Sequence, residues 1–236
     1  MVTNGDTAAA MQQRKTFFFD IDNCLYPKSY RIHNIMGDLI DKYFESHLSL
    51  PREEATRLHQ QYYKDYGLAI EGLVRHHQVD PLEYNKQVDD ALPLEDIIKP
   101  NPALRKMLED IDREKIKPWL FTNAYVTHGE KVVKLLGIDD LFEGITYCDY
   151  AAERLLCKPD PEMFAKAMRE SGSTDVSQCY FVDDSGLNIV GGKAYGWTTV
   201  HLVEPSSESP PEHLGHYQIT NILDIRDTFP EIFKSS

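Results

Sequence analysis

Two carboxylates spaced i, i+2, Asp20 and Asp22, close the run Thr16-Phe17-Phe18-Phe19-Asp20-Ile21-Asp22. The residues ahead of Asp20 are β-branched or aromatic, as a buried parallel strand requires. A strand repeats every two residues, so both acids project to one side at its carboxyl end, where open parallel sheets bind ligands. One acid so placed can act as nucleophile or metal ligand while the other donates and recovers a proton. That is equipment for phosphoryl transfer. Two acids can also do no more than open a turn, so the other strand ends decide between these readings.

Three of them carry complementary groups. Pro118-Trp119-Leu120-Phe121-Thr122-Asn123-Ala124 is an apolar strand that stops at a hydroxyl and an amide before a helix expected near Val126. Thr122 and Asn123 can cap that helix and leave its N-terminus as an anion site. In Cys157-Lys158-Pro159-Asp160-Pro161, Pro161 can open a helix through Met163, Phe164, Ala167 and Met168. Lys158 then becomes the counter-charge for a phosphate and for a nucleophilic carboxylate, and it is the one basic residue so placed. Cys179-Tyr180-Phe181-Val182-Asp183-Asp184-Ser185 ends a third strand in adjacent acids, with Asn188 in the helix beyond. Adjacent like charges suppress each other's ionisation unless a cation sits between them. With Asp20 and Asp22 they make an all-oxygen cluster suited to Mg2+.

In this order, Asp20-x-Asp22, Thr122-Asn123, Lys158-Pro159 and Asp183-Asp184 resemble the four motifs of the haloacid dehalogenase superfamily. The closer resemblance is to its pyrimidine 5′-nucleotidase branch, through Phe19-Asp20-Ile21-Asp22-Asn23-Cys24-Leu25-Tyr26, Tyr66-Gly67-Leu68-Ala69, Leu120-Phe121-Thr122-Asn123-Ala124 and Tyr147-Cys148-Asp149-Tyr150. Asn23-Cys24 stands where many members carry Gly-Thr. The resemblance runs from about Thr16 to Val203. It implies a Rossmann-like α/β core, with parallel strands in the order 3-2-1-4-5 and an all-helical cap inserted after the first strand. It also implies a magnesium-dependent phosphomonoesterase for nucleoside 5′-monophosphates, UMP and CMP first, working through an aspartyl-phosphate. Asp20 would be the nucleophile and Asp22 the acid and base; Thr122, Asn123 and Lys158 would hold the phosphate. The metal would be held by Asp20, the Asp22 main-chain carbonyl and Asp184, with Asp183 reached through water and Asn188 in support. A sugar-phosphate or other small-metabolite phosphatase would share every core residue and differ in the cap. A dehalogenase has no need of Asp22 or of the metal cluster. A catalytically silent scaffold or regulatory protein would be expected to have lost the nucleophile or the acid.

The 236 residues suffice for one α/β domain with such an insertion. The expected division is a flexible 1–15, a core of 16–30 with 99–236, and a cap of 31–98. Ile32, Ile35, Met36, Leu39, Ile40, Tyr43 and Phe44 recur at helical spacing. A second helix should open at Pro51 and end at Gly67, with two more over about 69–76 and 81–92. From Pro102 helix and strand alternate to Val203, which implies a parallel sheet. The segment 204–211 reads as an exposed connection. Tyr62, Tyr63, Tyr66, Arg75, His76 and His77 are candidate substrate contacts in the cap, although packing explains helical tyrosines as well.

A net charge of −13 argues against a grip on nucleic acid backbone, so an anionic substrate must be drawn by local groups. Cys24, Cys148, Cys157 and Cys179 have neither CxxC nor zinc spacing and read as reduced, buried packing residues. Cys24, beside the expected nucleophile, is the candidate for oxidant sensitivity. With no run of eighteen apolar residues and no apolar leader, a cytoplasmic or also nuclear enzyme is expected, with a small-molecule partner and neither membrane nor polymer.

Overall fold

The computed structural model describes residues 14–205 and 212–235. The expected flexible N-terminus lies outside the described residues as far as residue 13, and so does residue 206–211 of the expected connection. At its inner end the first expectation is corrected. Lys15 is the first residue of a strand paired with Ile116, and Arg14 forms an ion pair with Glu143 at 2.8 Å.

Six parallel strands, β1 (Lys15–Phe19), β2 (Ile116–Phe121), β3 (Ile145–Thr146), β4 (Cys179–Asp183), β5 (Thr198–Leu202) and β6 (Tyr217–Ile219), form one sheet in the order β3-β2-β1-β4-β5-β6. The first five follow the expected 3-2-1-4-5. The sixth extends the sheet beyond Val203, and its three residues are too few to show a period of two in the sequence.

Alternation along β1 divides the core. Phe17 and Phe19 face one side, with Leu104, Met107 and Leu108 of α6 (Pro102–Glu109) and Val132, Val133 and Leu136 of α7 (Val126–Leu136). Phe18 faces the other side, stacked on Trp197 at 4.3 Å, with Met163, Phe164 and Ala167 of α8 (Pro161–Ser171) and Ile189 of α9 (Gly186–Tyr195). Burial on both faces makes Phe17, Phe18 and Phe19 apolar without alternation, and Asp20 is the first polar side chain after them, at the strand's carboxyl end.

Between β1 and α6 the described chain contains helices and no strand: α1 (Ile32–Leu48), α2 (Arg52–Tyr66), α3 (Ala69–His76), α4 (Pro81–Gln87) and α5 (Leu94–Ile97). A last helix, α10 (Ile225–Thr228), follows β6. The fourth helix expected over 81–92 stops at Gln87; the chain turns through 88–91 and Pro93 begins a separate short helix. Ile40, Tyr43, Phe44, Ala55, Tyr62, Ile70 and Leu73 pack into a second core, completed by Cys148, Tyr150, Leu155 and Cys157 from the segment after β3. Gly67 ends α2 at φ +80°, a left-handed conformation that favours glycine. A Cβ there would stand 2.5 Å from the Lys158 carbonyl oxygen and 2.7 Å from Pro159 Cδ, so the helical insert rests directly on the Lys158 backbone.

Candidate active site

Asp20 follows β1, Thr122 follows β2 and Asp183 ends β4, so three adjacent strands deliver their polar residues to one carboxyl edge. Lys158 arrives from the loop ahead of α8 and is fully buried; Asp20 is 6% and Asp183 1% exposed. Its Nζ donates to Asp20 Oδ1, Asp183 Oδ2 and the Phe121 carbonyl oxygen, each at 2.7 Å. An ammonium has three protons, and here each has an acceptor. The loop itself is fixed by Asn123, whose Oδ1 accepts from Lys158 N at 2.7 Å and whose Nδ2 donates to Lys158 O at 2.9 Å.

Asn123 therefore clamps the lysine loop and does not cap α7 as expected. Thr122 Oγ1 accepts from Ala124 N at 3.0 Å, and α7 begins after Tyr125 with no side-chain cap. Asn188 Nδ2 donates to both Asp183 oxygens, at 3.3 and 3.1 Å, and Ser185 N donates to Asp183 Oδ1 at 2.7 Å. Asp183 is thus held on every side, while Asp184 is freer and pairs with Lys28 at 3.0 Å.

Asp20, Asp183 and Asp184 each offer an oxygen within 4.8 Å of the others. Burial and then the Asp183 charge hold Asp20 well above the usual carboxylate range, and burial with the Asp183 charge raises Asp184 to about 6. Crowded carboxylates whose ionisation is this unfavourable are a fit for a hard divalent cation, which would relieve both. The carboxylate of Asp22 takes no part in this cluster.

Asp22 is instead bound at Oδ1 by two donors, Tyr26 Oη and His128 Nε2, both at 2.7 Å. Burial pushes the Asp22 carboxyl up, but the His128 charge and the two hydrogen bonds outweigh it and hold it below its ordinary value. Burial likewise pushes the His128 imidazole down, and the charge and hydrogen bond of Asp22 overcome it, raising it to about 9. The pair rests as carboxylate and imidazolium.

Tyr26, Lys28 and His128 escaped the sequence analysis. Tyr26 lies four residues past Asp22 in a helical turn closed by the bond from Leu25 N to Ile21 O, a spacing that could have flagged it. His128 lies in the first turn of α7, just after the Thr122-Asn123 motif, on a buried face that is otherwise apolar. Lys28 corrects the expectation that Lys158 is the one basic residue so placed.

Asp20, Asp22, Thr122, Asn123, Asp183 and Asp184 line a cavity of about 960 Å3 together with the basic Lys28, Arg31 and His33 and the apolar or aromatic Met36, Ile40, Leu68, Tyr84 and Tyr150. Of the candidate contacts in the insert only Tyr63 lines it; its Oη stands 3.5 Å from Ser185 Oγ. Tyr62 bonds His77 at 2.9 Å, Tyr66 bonds His76 at 2.6 Å, and Arg75 pairs with Glu71, so these serve the insert itself. All four cysteines are buried and unpaired. Burial and the neighbouring Asp20 charge push the Cys24 thiol well up, which leaves it protonated and without the thiolate that oxidants attack.

A parallel sheet that gathers an Asp-x-Asp edge, a buried lysine and a second acidic pair beneath a helical insert defines a hydrolase of the haloacid dehalogenase type. The family model for haloacid dehalogenase-like hydrolases matches residues 14–196, and the chain belongs to that family. It is 42% identical over 200 residues to Phosphate metabolism protein 8 of Saccharomyces cerevisiae, covering 81% of this chain and 62% of that one. The chain thus spans less than two thirds of that relative's length. Among solved structures it is similar to a magnesium-bound HAD-hydrolase from Bacillus subtilis (TM-score 0.62, 14% identity, 92% of this chain and 99% of that one). A HAD phosphatase from Thermococcus onnurineus is close behind (TM-score 0.60, 17% identity, 91% and 97%). The L-2-haloacid dehalogenase of Xanthobacter autotrophicus has a TM-score of 0.59 at 14% identity, covering 92% and 99%. At such identities the likeness is one of fold. No described helix is long and apolar enough to cross a membrane.

Proposed function

We propose that the chain is a magnesium-dependent phosphomonoesterase acting on nucleoside 5′-monophosphates, pyrimidine nucleotides first, in the cytoplasm or also the nucleus, with 31–98 as its cap. The carboxylate cluster that lines the cavity around a buried lysine carries this reading. It puts a nucleophile, a counter-charge and a cation site within one hydrogen-bond shell. The cavity matches a nucleotide in size, and its aromatic and apolar wall suits a base. The name of the yeast relative refers to phosphate metabolism, and the Asn23-Cys24 signature resembles that of the pyrimidine 5′-nucleotidase branch.

An Asp20 oxygen attacks phosphorus as the ester P–O bond breaks, and the leaving oxygen takes a proton from Asp22. The proton stands in the resting site on His128, one hydrogen bond away. Water then gives its proton to Asp22 and attacks the aspartyl-phosphate, which frees Asp20 and inorganic phosphate. Thr122 and Lys158 orient the phosphoryl oxygens, and Asn123 keeps Lys158 in place. Asp20, the Asp22 main-chain carbonyl and Asp184 would hold a divalent cation, which would supply charge neutralisation at those oxygens.

Phosphate release from UMP, CMP, AMP, nicotinamide mononucleotide, glucose 6-phosphate and lysophosphatidate, with Mg2+ and with EDTA, tests the proposal. The expected result is Mg2+-dependent turnover strongest on UMP and CMP and abolished in Asp20→Asn with the fold intact. A preference for a sugar phosphate or a lipid monoester overturns the nucleotide assignment, and activity that survives Asp20→Asn overturns the nucleophile.

A further inference from the structure

The cavity contains a carboxylate that the fold leaves partly unsatisfied. Asp89 lies on the turn after α4, is only 5% exposed, and lines the same cavity as Asp20 and Asp22. Its Oδ2 has no hydrogen-bond partner among the described residues, and the nearby Tyr150 only partly offsets the cost of burying the carboxylate. Burial pushes its carboxyl up to about 6, so at neutral pH it remains largely ionised. A buried charged oxygen without a donor is costly, and folded chains satisfy nearly all such atoms. The donor that completes Asp89 is therefore expected from what fills the cavity.

Position narrows the choice. Asp89 feels the charges of both His128 and Asp22, and His128 is bonded to Asp22. Given the proposed role of Asp22 at the leaving oxygen, a residue of the same cavity whose charge is felt at Asp22 and His128 faces the leaving group. His128 Nδ1 is likewise buried without a partner among the described residues, and a hydroxyl, which both donates and accepts, can serve the carboxylate and the imidazole together.

We propose that Asp89 is a specificity-determining residue: its free Oδ2 accepts a hydrogen bond from a hydroxyl carried close to the ester oxygen, so that the site selects phosphomonoesters of polyhydroxylated, sugar-like alcohols over those of plain alkyl or aryl alcohols. This rests on the phosphomonoesterase reading and deepens it, because it concerns the alcohol and is indifferent to the base.

The test compares kcat/KM within two substrate pairs, UMP against 2′,3′-dideoxyuridine 5′-monophosphate and glycerol 3-phosphate against propyl phosphate, for the full chain with Mg2+. The wild type is expected to favour the hydroxylated member by about tenfold or more. In Asp89→Leu that preference falls towards unity; in Asp89→Asn, which keeps the volume and an acceptor oxygen, part of it survives. Absence of a wild-type preference in both pairs overturns the proposal, as does an unchanged preference in folded Asp89→Leu or Asp89→Asn protein, or an equal loss on both members of a pair. If nucleotides are not hydrolysed while glycerol 3-phosphate is, the nucleotide assignment fails and the glycerol pair still decides the role of Asp89.

Discussion

The contact between His128 and Asp22 should make this protein lose stability across mildly alkaline pH. Burial alone would lower the imidazole, yet Asp22 carries it from the ordinary 6.5 to about 9. Each tenfold change in proton affinity is worth about 1.4 kcal/mol, so the displacement corresponds to about 3 kcal/mol. The lowered Asp22 carboxyl is the same contact seen from its other partner and is counted once. The folded state holds the His128 proton more tightly than the unfolded chain does. Its contribution is therefore complete below pH 6.5 and is lost as the pH rises through about 9. Urea denaturation in EDTA, stepped across that interval, reads the effect directly. The wild type should lose about 3 kcal/mol more between the two ends than His128→Asn, which starts lower by a similar amount. A wild-type profile parallel to that of the variant, or one that rises with pH relative to it, refutes the ion pair.

Two further outcomes follow from the same site. Lys158→Met leaves Asp20 and Asp183 buried without their counter-charge and should cost about 3–5 kcal/mol at neutral pH, with the loss shrinking on acidification as Asp20 takes up a proton; a thermal melt displaced by less than about 1 kcal/mol contradicts this. Mg2+ at about a hundred times its dissociation constant should stabilise the wild type by about 2.7 kcal/mol, and Asp184→Asn should abolish most of that rise. An equal rise in both proteins, followed by calorimetry, removes Asp184 from the ligand set.

The sequence reveals those parts of the site that are delivered by strand ends. Asp20, Thr122, Asp183 and Asp184 follow apolar runs whose burial on both sheet faces leaves the first polar residue nowhere to go but the edge, so their convergence follows from topology. Lys158 is legible too, since a lysine directly ahead of Pro159 and of the helix opened by Pro161 sits in a pinned loop at the sheet edge. The residues that escaped are those placed by helices. His128 meets Asp22 across 106 residues, and its chemistry depends on the angle at which α7 packs against β1. Asp89 is equally hidden, because the turn that carries it exists only where α4 stops five residues short of the expected end. β3, expected over 145–148, is found at Ile145–Thr146, whereas the three-residue β6 is specified by its parallel neighbour and not by local pattern.

The glycine at the end of α2 has a consequence for how such a protein can diversify. Because Gly67 presses against the Lys158 carbonyl with no room for a side chain, the helical insert is not a detachable module on a finished catalytic floor. A chimera that exchanges α1 to α4 for those of a relative must reproduce one residue without a Cβ at this spot, or it will displace the backbone that holds the ammonium between Asp20 and Asp183. Substrate choice can therefore drift widely across the walls contributed by α1 and the 88–91 turn, while the seam at residue 67 confines that drift to inserts that arrive in a single register.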